Sequence, residues 1–182
     1  MRLATIARYL YLSYFSKPVC DRSLYKAIKK HQPRKILEIG LVSTQRTQRM
    51  LDFAQRLTGG ETLRYSAVDL FEARDKSLPK LSLKEVHKEL KAAGVTPQLI
   101  PGDPAGALAR TANALPETDL ILISAASDDA ALAAAWFYFP RMMHAESLVL
   151  RQMVGTDGQS VLQPIPAEQI RQLAGSNRRR AA

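Results

Sequence analysis

The sequence has one cysteine, Cys20, among its 182 residues. A single cysteine excludes an internal disulfide bond, so we expect a reducing, cytoplasmic compartment. No apolar run approaches the roughly 20 residues that a transmembrane helix needs. The most apolar segment, residues 3–15, is interrupted by Arg8 and is not followed by a small-residue cleavage site. We therefore expect neither a membrane span nor a signal peptide.

Histidine is scarce as well. His31, His87 and His144 are far apart in the sequence and lie on predicted helices or at their ends. This pattern indicates neither a metal site nor a general base, and we interpret all three as structural. The sequence therefore names no catalytic residue and no metal ligand.

Acidic residues are rare at the two ends of the chain. Residues 1–35 carry nine Lys or Arg and one acid, residues 36–150 carry twelve against fourteen, and residues 151–182 carry five against two. The net charge of +9 is therefore concentrated at the ends. Such ends suit RNA or an anionic surface, and they also suit a simple solvated surface.

Residues 1–33 predict two helices that precede the main domain. Apolar residues with helical spacing predict one buried face on the first helix, formed by Leu3, Ile6, Ala7, Leu10 and Tyr14. Pro18 ends this helix, and Asp21 is a candidate cap for the second. The two helices could cover a sheet, form a lid or touch a membrane, and we favour the first interpretation.

Residues 34–175 predict a domain in which strands alternate with helices, followed by a frayed basic tail over residues 176–182. The predicted strands are residues 35–39, 63–68, 96–100, 119–123, 147–150 and 159–163. Alternation of this kind favours an α/β, Rossmann-like open sheet of five to six mostly parallel strands with helices on both faces. The ligand crevice should then lie at the carboxyl ends of the first and fourth strands, where the winding reverses.

Helix caps and a core stripe can also be predicted locally. Candidate caps are Ser43 or Thr44, Ser82 with Glu85 as a capping box, Asp103 before Pro104, and residues 127–129. Apolar residues then recur at helical spacing, and we interpret them as packing: Leu132, Trp136, Phe139 and Met143.

Three predicted strands are followed by a group that could bind a ligand. Gly40 allows a close backbone approach at a helix N-terminus. Asp69 could accept hydrogen bonds from a ribose, or instead cap a helix or pair with Arg64 or Arg74. Asp103 could accept from an exocyclic amine, or serve only as a cap.

Together these segments resemble the class I S-adenosylmethionine-dependent methyltransferases. The resemblance rests on Ile36-Leu-Glu-Ile-Gly40, Val68-Asp69, Gly102-Asp103 and Asp119-Leu-Ile-Leu-Ile-Ser124. It implies S-adenosyl-L-methionine as cofactor, with Glu38 and Gly40 at its methionine part, Asp69 at the ribose and Asp103 at the adenine. The other residues of the implied cofactor site are Ser43, Leu70, Gly102 and Ser124.

The sequence departs from that family's pattern at two places. Val42 and Thr44 stand where further glycines are usual, and Ser124-Ala-Ala-Ser127 replaces the usual acidic or Asn-Pro-Pro-type motif. A β-branched residue forced into a left-handed conformation would cost on the order of 1–2 kcal/mol. Three hypotheses follow: a cofactor-binding methyltransferase-like protein with weak or lost activity, an inactive binding or scaffold module, and a protein that contacts RNA or an anionic surface through its basic ends. The sequence names no methyl acceptor.

Overall fold

The computed structural model describes residues 3–59, 62–125, 127, 129–155 and 158–178. One sheet of six strands organises these residues, in the order β3-β2-β1-β4-β5-β6. Strands β1 to β5 are parallel, and β6 runs antiparallel to β5. The strands are Lys35–Ile39 (β1), Arg64–Asp69 (β2), Pro97–Pro101 (β3), Leu120–Ile123 (β4), Leu148–Val154 (β5) and Ser160–Pro164 (β6). The predicted Rossmann-like sheet is confirmed, including the reversal of winding between β1 and β4.

The central strands are apolar because both of their faces are covered. Every residue of β4 is buried, as expected for the middle of a parallel sheet. At the edge, β6 carries exposed residues such as Val161, and its antiparallel direction follows from a short connection to β5.

Eight α-helices are described along the chain. Their bounds are Leu3–Phe15 (α1), Cys20–His31 (α2), Thr44–Leu57 (α3), Leu83–Ala92 (α4), Pro104–Thr111 (α5), Asp129–Ala133 (α6), Phe139–Met142 (α7) and Ala167–Arg178 (α8). Short 3-10 turns span Phe71–Ala73, Ala112–Ala114 and Ala135–Tyr138.

The helices form a layer on each face of the sheet. One core joins buried residues of α2, α3 and α4, such as Leu24, Phe53 and Leu90, to one face of the strands. The other core joins α5 to α8 to the opposite face. Leu132, Trp136 and Phe139 are buried in this second core, so their interpretation as packing residues is confirmed.

The predicted buried face of α1 is wrong. Leu12, Ser13 and Ser16 are buried, whereas the described side chains of the predicted stripe are exposed, namely Ile6, Ala7, Leu10 and Tyr14. Of the two N-terminal helices, only α2 covers the sheet. Helix α1 packs on the outer side of α2 and α3. Apolar spacing correctly identified an amphipathic helix, but it could not show which side faces the protein.

Two of the predicted helix caps are confirmed and two are wrong. Ser43 accepts a hydrogen bond from Arg46 N at 3.2 Å, and Asp103 accepts one from Gly106 N at 2.9 Å. Asp21 lies inside α2, whose first turn it does not cap. Ser82 precedes α4 without a side-chain cap bond, and Glu72 accepts from Leu83 N instead, at 2.8 Å.

The last helix reaches into the predicted tail. Helix α8 extends to Arg178, so residues 176–178 belong to it, and fraying of the tail stays a prediction. Residues 179–182 lie outside the described residues, as does Asp128 among the predicted caps. In the described part of the chain, every helix is too short or too polar to cross a membrane.

Candidate functional site

The predicted crevice lies at the carboxyl edge of the sheet. Gly40 N donates to Val68 O at 2.8 Å, and Gly102 N donates to Asp69 O at 2.9 Å, so the turns after β1, β2 and β3 are tied together. A cavity of about 80 Å³ lies between them, and its lining includes Gly40, Asp69, Leu70 and Gly102. The predicted convergence of the strand ends is therefore present.

Asp69 is the central side chain of this cavity, and both of its carboxylate oxygens are bound by the protein itself. Oδ1 accepts from Phe71 N at 2.8 Å and from Arg74 Nε at 2.6 Å. Oδ2 accepts from Leu41 N at 2.8 Å and from Arg74 Nη2. The Arg74 alternative raised by the sequence is thus confirmed, and Arg64 is not the partner.

Arg74 is held in this position by further bonds. Its Nη2 donates to Leu41 O at 2.6 Å, and its Nη1 donates to Pro79 O at 3.2 Å. The side chains of Arg74 and Asp69 are only 7% and 3% exposed. The arginine therefore bridges the turn after β1 and the loop after β2, and it is one of the residues that line the cavity.

The loop between Asp69 and Arg74 has an unusual backbone at Phe71. This residue is buried and has a φ of +48°, a left-handed conformation that is rare for a bulky side chain. The bond from its own N–H to Asp69 Oδ1 helps to hold it there. The backbone conformation of this short loop thus helps to place Arg74 next to Asp69.

Gly40 contacts the turn after β4 rather than open space. Its φ is +75°, and a Cβ atom added to it would lie 2.9 Å from Ser124 Cβ and 3.1 Å from Ser127 Oγ. The space on the Cβ side of Gly40 is therefore filled by the chain, while the residue still lines the cavity. In contrast, Val42 and Thr44 have no positive φ, so the backbone strain that the sequence suggested at these positions is absent.

Glu38 belongs to the core and is not among the residues that line the cavity. Its Oε2 accepts from Thr47 Oγ1 and from Tyr65 OH, each at 2.8 Å. Its Oε1 lies 3.7 Å from Arg46 Nη1. Burial raises the pKa of Glu38, and Arg46 partly opposes that shift.

Arg46 links this core acid to the N-terminal helices. Its Nε donates to Asp21 Oδ1 at 2.7 Å, and both side chains are buried. The sequence patterns did not predict this network. The available signal was a charged residue at position 46, one helical turn before Met50, on the buried stripe of α3.

Of the remaining predicted site residues, Leu70 and Gly102 line the cavity, whereas Ser43, Asp103 and Ser124 are not among its lining residues. Ser43 and Asp103 are helix caps, and Asp103 is exposed. Leu70 lines the cavity and is 41% exposed. Ser124 is buried behind Gly40. A cofactor role for these residues stays a prediction.

None of the three histidines is among the described residues that line the cavity. His144 Nε2 is 3.0 Å from Asp119 Oδ1. Asp119 directly precedes β4, so it lies at the amino end of the strands, whereas the cavity lies at their carboxyl end. Asp119 also accepts from the backbone N–H groups of Arg34 and Lys35 at 2.7 and 2.8 Å. These bonds give His144 and Asp119 a structural task. In the described residues, no three metal-ligating side chains gather into a site.

Comparison with known proteins identifies the fold. No protein-family model matches the chain, and no curated protein matches it in sequence. An O-methyltransferase from Bacillus cereus, solved with SAH, is 14% identical with a TM-score of 0.55, over 98% of this chain and 79% of that one. An SAH-bound methyltransferase from Podospora anserina is 14% identical with a TM-score of 0.50, over 98% and 75%.

A shorter overlap is found with an S-adenosylmethionine-dependent methyltransferase from Clostridium acetobutylicum. It is 13% identical with a TM-score of 0.50, over 84% of this chain. The chain spans 56% of the length of that protein. The chain thus has the class I methyltransferase fold.

The crevice, in the arrangement described, does not fit the cofactor that this fold implies. Its volume of about 80 Å³ is well below the roughly 300–1,000 Å³ of sites that enclose drug-sized ligands. Asp69 has no oxygen free for a ribose, and the Cβ side of Gly40 is occupied by Ser124 and Ser127. Binding would require Arg74 to leave Asp69.

Proposed function

We propose that this chain is a methyltransferase-like protein in which an internal arginine closes the cofactor crevice, so that methyl transfer is weak or lost. The observation that carries the proposal is the pairing of Arg74 with both oxygens of Asp69. S-adenosylmethionine is the candidate cofactor, because the Bacillus cereus and Podospora anserina proteins of this fold were solved with SAH.

The energetics favour the closed arrangement over a bound ribose. A hydrogen bond to a charged group contributes about 1.5–3 kcal/mol, and a bond from a ribose hydroxyl to the Asp69 carboxylate would belong to the same class, so the number of bonds decides the comparison. The Arg74 guanidinium makes two charge-assisted bonds to Asp69 and two more to carbonyl oxygens. Two ribose hydroxyls could not replace all of these bonds, so cofactor binding should be weak.

The lining of the cavity also provides little for chemistry. Of the described residues that line it, the ionisable ones are Asp69 and Arg74, which are paired with each other. Methyl transfer can proceed largely by positioning, without a general base. Positioning requires room for both reactants, and the closed crevice does not provide that room.

Titration calorimetry with S-adenosylmethionine tests the proposal. We expect at most millimolar affinity for the wild type and at least roughly tenfold tighter binding for Arg74→Ala, equivalent to about 1.4 kcal/mol. Arg56→Ala is the matched control, because it also removes an arginine paired with an aspartate, but at an exposed site on α3. The double variant Arg74→Ala with Asp69→Asn should lose the gain. Micromolar binding by the wild type, or no gain in Arg74→Ala, would overturn the proposal.

The second candidate function is that of a binding or scaffold module that contacts RNA or an anionic surface through the basic ends. It is favoured by the positive charge of residues 1–35, which contain nine Lys or Arg and one acid. That acid, Asp21, is buried in an ion pair with Arg46. Binding of a single-stranded RNA, followed by fluorescence anisotropy, should weaken steeply with salt and on deletion of residues 176–182. An affinity that does not change with salt would contradict this candidate.

A further inference from the structure

Helix α1 exposes an apolar face that nothing in the described chain covers. Six large apolar residues of α1 and the turn after it are more than a third exposed: Ile6, Leu10, Tyr11, Tyr14, Phe15 and Val19. At 3.6 residues per turn, those within the helix fall on one half of its circumference. We call these six residues the α1 face.

The α1 face is presented by a well-anchored helix. On the opposite side of α1, Leu12 and Ser13 are buried, and the ring of Tyr9 stacks on Phe53 with centroids 6.1 Å apart. On the outward side, Tyr11 and Phe15 stack on each other at 6.2 Å while both remain exposed. The aromatic pair therefore projects from a fixed support.

Positive charge surrounds the α1 face. Lys26 Nζ lies 5.0 Å from the centroid of the Tyr14 ring. Lys17, Arg8 and Arg49 line a hollow of about 500 Å³ together with Tyr11 and Phe15. The acids nearby are already paired, because Asp21 binds Arg46 and Asp52 binds Arg8 and Arg56. The rim is therefore basic.

We propose that the α1 face docks onto an anionic lipid surface, with the helix lying in the plane of the headgroups. Aliphatic and aromatic residues on one side of a helix, flanked by lysine and arginine, match an interfacial helix. Tyrosine suits the headgroup region of a bilayer, because its ring is apolar and its hydroxyl group stays hydrated. This inference gives the basic N-terminal segment a specific partner and is independent of the closed crevice.

The charge pattern favours lipid over the other possible occupants. A second copy of the chain would bring two basic rims together, and like charges across an interface disfavour association. RNA would use the cations and the aromatic rings, but it would leave the aliphatic side chains of Ile6, Leu10 and Val19 without a partner. An anionic bilayer satisfies both the apolar centre and the basic rim.

Vesicle sedimentation with the full chain tests the proposal. We expect binding to equimolar phosphatidylcholine and phosphatidylglycerol, and at least roughly tenfold less binding to phosphatidylcholine alone. Tyr11→Ser with Phe15→Ser, and separately Lys17→Glu with Lys26→Glu, should each weaken binding at least roughly tenfold. The first control is Val154→Ser, which changes an equally exposed apolar residue on β5. The second is Lys80→Glu with Lys84→Glu, which changes two exposed lysines that are not part of α1 or of the hollow beside it. Both controls should bind as the wild type does.

Several results would overturn the proposal. These are equal sedimentation with both vesicle types, no sedimentation, or unchanged binding by the α1 variants. A dimer in analytical ultracentrifugation that Tyr11→Ser with Phe15→Ser abolishes would assign the face to a second copy. RNA binding lost in the same variants, without lipid binding, would assign it to RNA. Arg74→Ala should bind vesicles like the wild type, which separates this inference from the proposal for the crevice.

Discussion

Arg74 holds Asp69 through both carboxylate oxygens, and the two residues are only five positions apart in the chain. The acid at the end of β2 is therefore satisfied by the loop that follows it. The same arginine reaches back to Leu41 O in the turn after β1. One side chain thus fastens together the two loops that would have to separate to admit a ligand.

Removal of Arg74 should be costly for stability. We expect Arg74→Ala to lower the free energy of unfolding by about 3 kcal/mol, because it leaves a buried carboxylate without its cation. The exposed pair of Arg56 with Asp52 provides the comparison, and Arg56→Ala should cost at most about 1 kcal/mol. Urea unfolding followed by circular dichroism measures both values. Equal, small losses would show that the Arg74 pair contributes little.

The strands and the crevice could be predicted because their signals are local. Runs of apolar residues that end in a glycine turn identify buried parallel strands, and Gly40 and Gly102 do follow β1 and β3. Short-range caps such as Ser43 and Asp103 were found for the same reason, since each bonds to a residue three positions away.

The failures all depend on partners that are distant in sequence or are chosen by packing. Asp21 pairs with Arg46, 25 positions away, and so does not act as a cap. The α1 stripe is exposed because α1 is anchored by its other side, where Ser13 and Ser16 are buried. Hydrophobic spacing alone would have assigned the serine side to solvent, and only the packed structure shows otherwise.

Asp103 should behave as a helix cap and nothing more. Asp103→Ala should lower the free energy of unfolding by about 1 kcal/mol, because Gly106 N loses its hydrogen-bond acceptor. Asp103→Asn keeps a hydrogen-bond acceptor, so it should lower the free energy of unfolding by only a few tenths of a kcal/mol. Thermal or urea unfolding of the two variants provides the measurement. If asparagine costs as much as alanine, the negative charge at position 103 has a role beyond capping.

Glu38 should make stability depend on pH. Burial raises its pKa in the folded state, so the folded protein holds a proton that the unfolded chain has released. Stability from this group is then present at low pH and is lost as pH rises from the ordinary carboxyl range, roughly 4, through the raised folded value. Glu38→Gln cannot titrate and keeps an acceptor for Thr47 and Tyr65.

The measurement is the difference in unfolding free energy between Glu38→Gln and the wild type, taken from urea titrations across this pH range. We expect the difference to move in favour of glutamine as pH rises. Glu72→Gln is the control, because Glu72 is exposed and its pKa is lowered by backbone hydrogen bonds. Because its folded pKa is lowered, the trend for Glu72 should have the opposite sign and should fall just below the ordinary carboxyl range, roughly 4, so the titrations extend below that pH. A constant difference for Glu38 would mean that Arg46 keeps this acid ionised in both states.

Gly40 reports how firmly the crevice is closed. Gly40 and Gly59 both have positive φ, but a Cβ at Gly40 would meet Ser124 at 2.9 Å, whereas one at Gly59 would meet nothing within 4 Å. Both alanine variants carry the same backbone strain, on the order of 1–2 kcal/mol. We expect Gly40→Ala to cost about 1–3 kcal/mol more than Gly59→Ala, because the neighbouring turn is overpacked.

The double variant Gly40→Ala with Ser124→Gly isolates the contact. It should recover part of the additional cost, since Ser127 Oγ would still lie near the new methyl group. Urea unfolding of the single and double variants gives the unfolding free energies for this double-mutant cycle. Equal costs at Gly40 and Gly59 would show that the turn with Ser124 and Ser127 moves aside freely. In that case the crevice can open on this side, and the barrier to a ligand would rest on Arg74 alone.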